Sequence, residues 1–129
     1  MNENVAALDN PPMPLPASAY QPGWPDEGRK DDTGKLPWDL IPGDAVEEIV
    51  KVLDFGARKY AAHNWCNGMR WGRVFAALMR HMWAWWGGED KDPETGLSHL
   101  AHAGACILFL IAFEKRRIGS DDRYETRAR

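Results

Sequence analysis

The stretch His81-Met82-Trp83-Ala84-Trp85-Trp86-Gly87-Gly88-Glu89-Asp90-Lys91-Asp92-Pro93-Glu94-Thr95-Gly96-Leu97-Ser98-His99-Leu100-Ala101-His102 decides how this chain is read. It begins as the apolar end of a helix, breaks at Gly87-Gly88, crosses an acidic loop and returns to apolar helix at Leu97. It holds three of the four histidines, three of the seven tryptophans and four acids. Charged, metal-capable groups at this density beside a core imply a site, because a buried charge is costly without an ion, ligand or partner to compensate it.

Working outward, the segment Trp71–Trp86 carries Val74, Leu78, His81, Met82 and Trp85 at helical spacing, which predicts a helix with that inner stripe. On the other side a helix is predicted over 97–117. Leu97, Leu100, Gly104, Ile107, Leu108 and Ile111 make one face, but Cys106, Phe109, Leu110 and Phe113 make the other side apolar too. A helix apolar nearly all round is central or lies at a subunit interface. Between the two, Asp92-Pro93-Glu94 suits a capped turn with Pro at the first helical position. A further helix is predicted from Asp44, where Asp44-Ala45-Val46-Glu47 fits a capping box. Its stripe is Val46, Ile49, Val50, Leu53, Ala57 and Tyr60. The lead-in 36–42 reads as extended, with Trp38 and Leu40 free to pack on the core.

No strand is convincing. The class is all-α, a compact domain of three main helices plus short turns. Three helices cover the last one poorly, so completion as a homo-oligomer is expected. Residues 1–35 are Pro-rich without periodicity and read as disordered. The helical domain is placed at 36–117, and 118–129 reads as a charged tail that frays.

The chain of 129 residues, 44% hydrophobic, is long enough for one core. A net charge of -3 and a pI near 5.8 supply no basic field, so no nucleic-acid partner is expected. Cys66 and Cys106 form no disulfide framework, and the cytoplasm is the expected compartment. The N-terminus has no signal-peptide pattern. The longest apolar run, 103–113, falls short of the roughly 18 residues of a membrane span, so no membrane partner is expected.

The acids of the first helix mostly pair with bases four residues on, Glu47 with Lys51 and Asp54 with Arg58. Glu48 differs, with Val52 and Phe55 as its helical neighbours and no obvious partner. His99 and His102 share a helix face at a spacing that can chelate one metal. His81 points toward the same region but reads first as a hydrogen-bonded core histidine. Glu89 and Asp92 offer oxygen ligands, while Asp90 and Glu94 read as surface. Lys59, Asn64, Trp65, Arg70, Trp71, Arg73 and Arg80 interleave charge and aromatic surface, which suits gripping phosphates and stacking a base. Most tryptophans should be core or interface.

Several of these motifs coincide with a known pattern. Trp38-Asp39-Leu40-Ile41-Pro42, Phe55-Gly56-Ala57-Arg58-Lys59-Tyr60, Asn64-Trp65 and the run from Arg80-His81 to His102 resemble the N-terminal domain of phage dATP/dGTP diphosphohydrolases. The resemblance covers 35–113, about three fifths of the chain. It implies hydrolysis of purine deoxynucleoside triphosphates to monophosphate and pyrophosphate, in the manner of MazG-like all-α pyrophosphohydrolases, in the host cytoplasm. In those proteins Glu-Glu-x-x-Glu and Glu-x-x-Asp hold Mg²⁺ or Mn²⁺, which activates water and neutralises developing charge. Glu47 and Glu48 match the paired glutamates, and Lys51 stands at the third position. His99 and His102 take the spacing of Glu-x-x-Asp, as do Glu89 and Asp92 in the loop. Imidazoles in place of carboxylates favour Mn²⁺ or Zn²⁺ over Mg²⁺.

The expected site follows. Glu48, Glu89 and His99 act in catalysis. Glu48, Glu89, Asp92, His99 and His102 hold a divalent metal, Mg²⁺ or Mn²⁺ with Zn²⁺ as a further candidate. Lys59, Asn64, Trp65, Arg73 and Arg80 contact a purine deoxynucleotide. The alternative is a non-enzymatic, oligomeric nucleotide-binding or protein-binding accessory module.

Overall fold

The computed structural model describes residues 28–124. Most of the disordered head expected over 1–35, and the last residues of the expected tail, lie outside them. Residues 28–41 belong to one unit, and among its described residues there is a single 3₁₀ turn, Trp38–Leu40. Trp38 and Leu40 are exposed. The described residues from Pro42 onward form a second unit, with three helices: α1 (Gly43–Lys59), α2 (Trp71–Trp86) and α3 (His99–Arg116). No strand occurs among the described residues, and the all-α class stands. No helix among them is long and apolar enough to cross a membrane.

Helix α1 starts earlier than the capping-box reading placed it. Pro42 is the cap, and its carbonyl accepts from the N–H groups of Ala45 and Val46. A capping box needs an N–H at the cap for the third helical side chain to reach, and proline has none. Asp44 therefore sits inside the first turn, where it complements the helix dipole. At the other end α1 stops at Tyr60, with Arg58 and Lys59 in the last turn.

Helix α3 begins where Ser98 Oγ accepts from the Leu100 N–H at 3.1 Å. It is the element on which both other helices pack. Its buried residues are His99, Ala101, Ala103, Ala105 and Phe113, mostly small side chains that admit close neighbours. At Gly104 a Cβ would stand 2.6 Å from the Ile49 side chain of α1, so the two helices pack closely there. The other helices meet α3 through Val74, the buried residue of α2, and half-buried Ile49 and Leu53 of α1.

The expected stripes are only partly covered. Val46, Val50 and Tyr60 of α1 and Leu100, Ile107, Leu108 and Ile111 of α3 are exposed. No described tryptophan is buried, and Trp83 and Trp86 are among the most exposed apolar groups. Periodicity reports which side of a helix is apolar, whereas burial needs a neighbour on that side. Three helices do not supply enough neighbours.

The segment after α3 does not fray as expected. Residues 118–123 fold back onto the start of α2. Ser120 exchanges backbone bonds with Met69 and Trp71, and Asp122 Oδ1 accepts from the Gly72 N–H at 2.7 Å. Arg70, the cap of α2, offers no side-chain acceptor, so Asp122 satisfies that helix end from fifty residues away. Gly68 and Gly119 make the crossing possible. Both have positive φ, and a Cβ on Gly119 would lie 2.3 Å from the Met69 carbonyl oxygen. Gly119→Ala is expected to destabilise the domain by about 2 kcal/mol or more. Asp122→Ala is expected to cost about 1 kcal/mol. Thermal melts of both variants test this ordering.

Candidate functional site

The loop joining α2 to α3 is tightly built. Glu89 N–H donates to Ala84 O, Asp92 N–H to Leu97 O, Gly96 N–H to Asp92 O and His99 N–H to Asp90 O. Asp92 Oδ1 caps the proline turn by accepting from the Glu94 N–H at 2.7 Å, as Asp92-Pro93-Glu94 suggested. These bonds set Asp92 against the start of α3, facing the inner side of α2.

Three imidazoles and one carboxylate converge there. His81 Nδ1 and His99 Nδ1 lie 2.9 Å apart. His99 Nε2 bonds Glu89 Oε1 at 2.6 Å, and His102 Nε2 bonds Thr95 Oγ1 at 2.7 Å. The rings of His81 and His102 stack, with centroids 4.5 Å apart and planes 6° from parallel. Asp92 Oδ2 stands 3.8 Å from His81 Nδ1 and 3.9 Å from His102 Nε2. One donor atom from each of His81, Asp92 and His99 lies within 4.8 Å of the other two, so these residues can share a divalent ion.

Burial favours the neutral form of His81 and His102. His99 is only 4% exposed, and His81 and His102 are mostly covered. Removal from water lowers the His81 pKa below the usual histidine value, and the His102 ring pushes it the same way. Asp92 opposes both. Burial lowers His102 as well, again against Asp92. Neutral rings keep a lone pair available, which suits metal ligation at neutral pH.

His81, Asp92 and His102 of the cluster line a groove of about 540 Å³, within the range of small-molecule sites. His81, Asp92, Thr95 and His102 line the polar part, while Phe55, Trp65 and Phe109 line the apolar part. Trp65 is stacked on Phe109 at 5.3 Å, with the Arg116 guanidinium 5.2 Å above its ring. On the rim, Lys59 Nζ bonds Glu94 Oε1 at 2.7 Å, which raises the lysine pKa. A shallower groove of about 570 Å³ shares Phe55, Lys59 and Thr95 and is bordered by Lys51 and Arg58.

The structure sorts the sequence expectations. Glu89, Asp92, His99 and His102 come together, and Lys59, Asn64 and Trp65 line the groove. Glu48 does not join them. It pairs with Lys51 at 2.7 Å, one turn before Val52 on α1 and outside the groove lining. One turn displaces a side chain by about 6 Å along the axis. Arg73 and Arg80 are exposed and outside the groove. Each directly adjoins an inward residue, Val74 or His81, and about 100° of helical rotation turns it away. Glu94, read as surface, holds Lys59. His81, read first as core, is central to the cluster, and the signal was its place on the inner stripe of α2. Thr95 carried no sequence signal.

Fold and site together define an all-α domain with a histidine–carboxylate cluster beside an open groove. Residues 25–123 match the family described as dATP/dGTP diphosphohydrolase, N-terminal, and the chain belongs to that family. A dATP/dGTP diphosphohydrolase of Salmonella phage PMBT28 is 40% identical over 96 residues, covering 74% of this chain and 33% of that protein. The chain thus spans about a third of the length of that relative. No solved structure matches.

His99 is buried with both ring nitrogens bonded inside the domain, so its loss breaks both bonds and leaves a gap in the core. His99→Ala is expected to lower unfolding stability by about 1–3 kcal/mol in denaturant titrations. The exposed substitution Arg73→Ala should stay within about 0.5 kcal/mol.

Proposed function

We propose that this chain takes part in hydrolysing purine deoxynucleoside triphosphates, dGTP and dATP, to the monophosphate and pyrophosphate. The observation that carries the reading is the convergence of His81, Asp92 and His99 beside a groove that His81 and Asp92 line together with Lys59 and Trp65. The named activity of the phage relative supports the same substrate class.

The donor set fits a divalent cation, because no hydrogen bond among the described residues reaches Asp92 Oδ2, which faces the imidazoles. His81, Asp92 and His99 would hold it. A bound divalent ion would polarise a phosphoryl oxygen and make water a better nucleophile at neutral pH. The protein's own groups do the rest. Lys59 exchanges Glu94 for the phosphate chain, a move that removes no charge from water because the pair is already at the surface. Phe55, Trp65 and Phe109 receive the base on apolar and aromatic surface. Asn64 offers an amide on the rim for the edge of the base or sugar. Glu89 orients His99, and Thr95 orients His102.

The same proposal takes the working form to be a homo-oligomer in the host cytoplasm. Exposed Ile107, Leu108 and Ile111 on α3 support self-association. The match to one third of the relative favours a second reading, in which this domain binds the nucleotide and the bond is broken elsewhere.

Purified chain with dGTP or dATP and Mn²⁺, Zn²⁺ or Mg²⁺ is expected to release pyrophosphate. Lys59→Ala is expected to raise KM tenfold or more, from the loss of a charged hydrogen bond worth about 1.5–3 kcal/mol. Saturable dGTP binding without release with any of these ions would sink the hydrolytic reading and leave the binding module.

A further inference from the structure

Glu89 and Thr95 separate the roles of the three imidazoles. Glu89 Oε1 lies 2.6 Å from His99 Nε2, and a carboxylate only accepts, so the His99 proton is on Nε2. His99 Nδ1 is then the ring nitrogen turned toward His81 Nδ1, 2.9 Å away. His102 Nε2 is already engaged by Thr95 Oγ1 at 2.7 Å. His81 Nδ1 thus faces His99 Nδ1 and stands 3.8 Å from Asp92 Oδ2, and His81, Asp92 and His99 each offer one ligand atom within 4.8 Å of the other two. Two nitrogens each about 2.0–2.1 Å from one ion stand at a separation of the order seen between the two Nδ1 atoms.

We propose that His81, His99 and Asp92 form a two-histidine, one-carboxylate site selective for a first-row transition ion, Mn²⁺, Co²⁺ or Zn²⁺, over Mg²⁺, with Glu89 as its positioning residue. This deepens the nucleotide reading and rests on it only for the task the ion serves. Imidazole nitrogen is a borderline ligand that suits transition ions. Mg²⁺ requires near-octahedral oxygen coordination and gives up water reluctantly, and the site offers it one carboxylate. The ligand set is also open. His81 and Asp92 line the groove, so an ion between them keeps a coordination position toward whatever occupies it.

The arrangement differs from the sequence expectation in four residues. Glu48 pairs with Lys51 away from the cluster. His81 becomes a ligand. Glu89 does not bind the ion but fixes the tautomer and ring angle of His99, the task of a carboxylate behind a metal-bound histidine. His102 stacks on His81 and is held by Thr95, so it supports the ring and does not coordinate.

The test titrates Co²⁺ into the metal-free 129-residue chain, reading visible absorption and calorimetry. Thermal melts confirm that each variant is folded. Saturation at one ion per chain with a visible band is expected. His81→Gln and Asp92→Asn should abolish the band. Glu89→Gln should retain the band but weaken affinity about 10–100-fold. His102→Gln should keep the band. Zn²⁺ should displace Co²⁺, whereas excess Mg²⁺ should not. No saturable Co²⁺ binding by the folded chain, or binding that survives His81→Gln and Asp92→Asn, overturns the site. Displacement by equimolar Mg²⁺ overturns its selectivity, and an unchanged affinity in Glu89→Gln overturns the role of Glu89. Metal binding without pyrophosphate release sinks only the hydrolytic reading. Pyrophosphate release without this binding sinks only the site.

Discussion

The imidazole of His99 is anchored at both ends inside the domain, by Glu89 on Nε2 and His81 on Nδ1. Much of the structure depends on that double anchor. His99 is the first residue of α3, and its backbone N–H bonds Asp90 in the loop before it. His81 belongs to the inner side of α2, and Glu89 follows the glycine pair that ends α2. One side chain therefore joins the end of one helix, the loop and the start of the next. A buried polar group this well satisfied specifies one arrangement, because any shift of the loop leaves a nitrogen without a partner.

The rest of the fold brings a groove to that anchor. Ala101, Ala103, Ala105 and Gly104 keep α3 slim enough for α1 and α2 to approach closely. The groove then lies over His81 and His102, with Lys59 at the end of α1 on its rim. The strap 118–123 holds the opposite end of α2. Asp122 supplies the acceptor that Arg70 cannot, and the Gly68–Gly119 crossing lets the strap lie against Met69. The helix that carries His81 is thus secured at its start by the strap and at its end by the loop.

Much of this was legible in the sequence. The helix ranges, the break at Gly87-Gly88, the proline turn capped by Asp92 and the resemblance to phage diphosphohydrolases all follow from local pattern. Periodicity could not say which apolar stripe finds a neighbour, and so Trp83, Trp86 and Ile111 were expected to be covered within a larger assembly while this chain leaves them exposed. Glu48 looked functional because it lacked a partner at four residues' spacing, but Lys51 meets it at three. Arg73 and Arg80 have the right chemistry for phosphates on the wrong side of α2. Asp122 looked like tail because its partner, the Gly72 amide, is fifty residues away.

The helices, their boundaries to within a few residues, the family and the density of histidine and carboxylate around the α2–α3 loop are all readable from the chain alone. These depend on interactions between residues close in the chain, where spacing is geometry. Only the tertiary structure decided that His81 belongs to the cluster, that Glu89 holds His99, and that Glu48 lies a turn away. Those outcomes depend on how helices rotate and slide against one another. A few ångströms of axial displacement, or one residue's turn around the axis, separates a ligand from a surface charge.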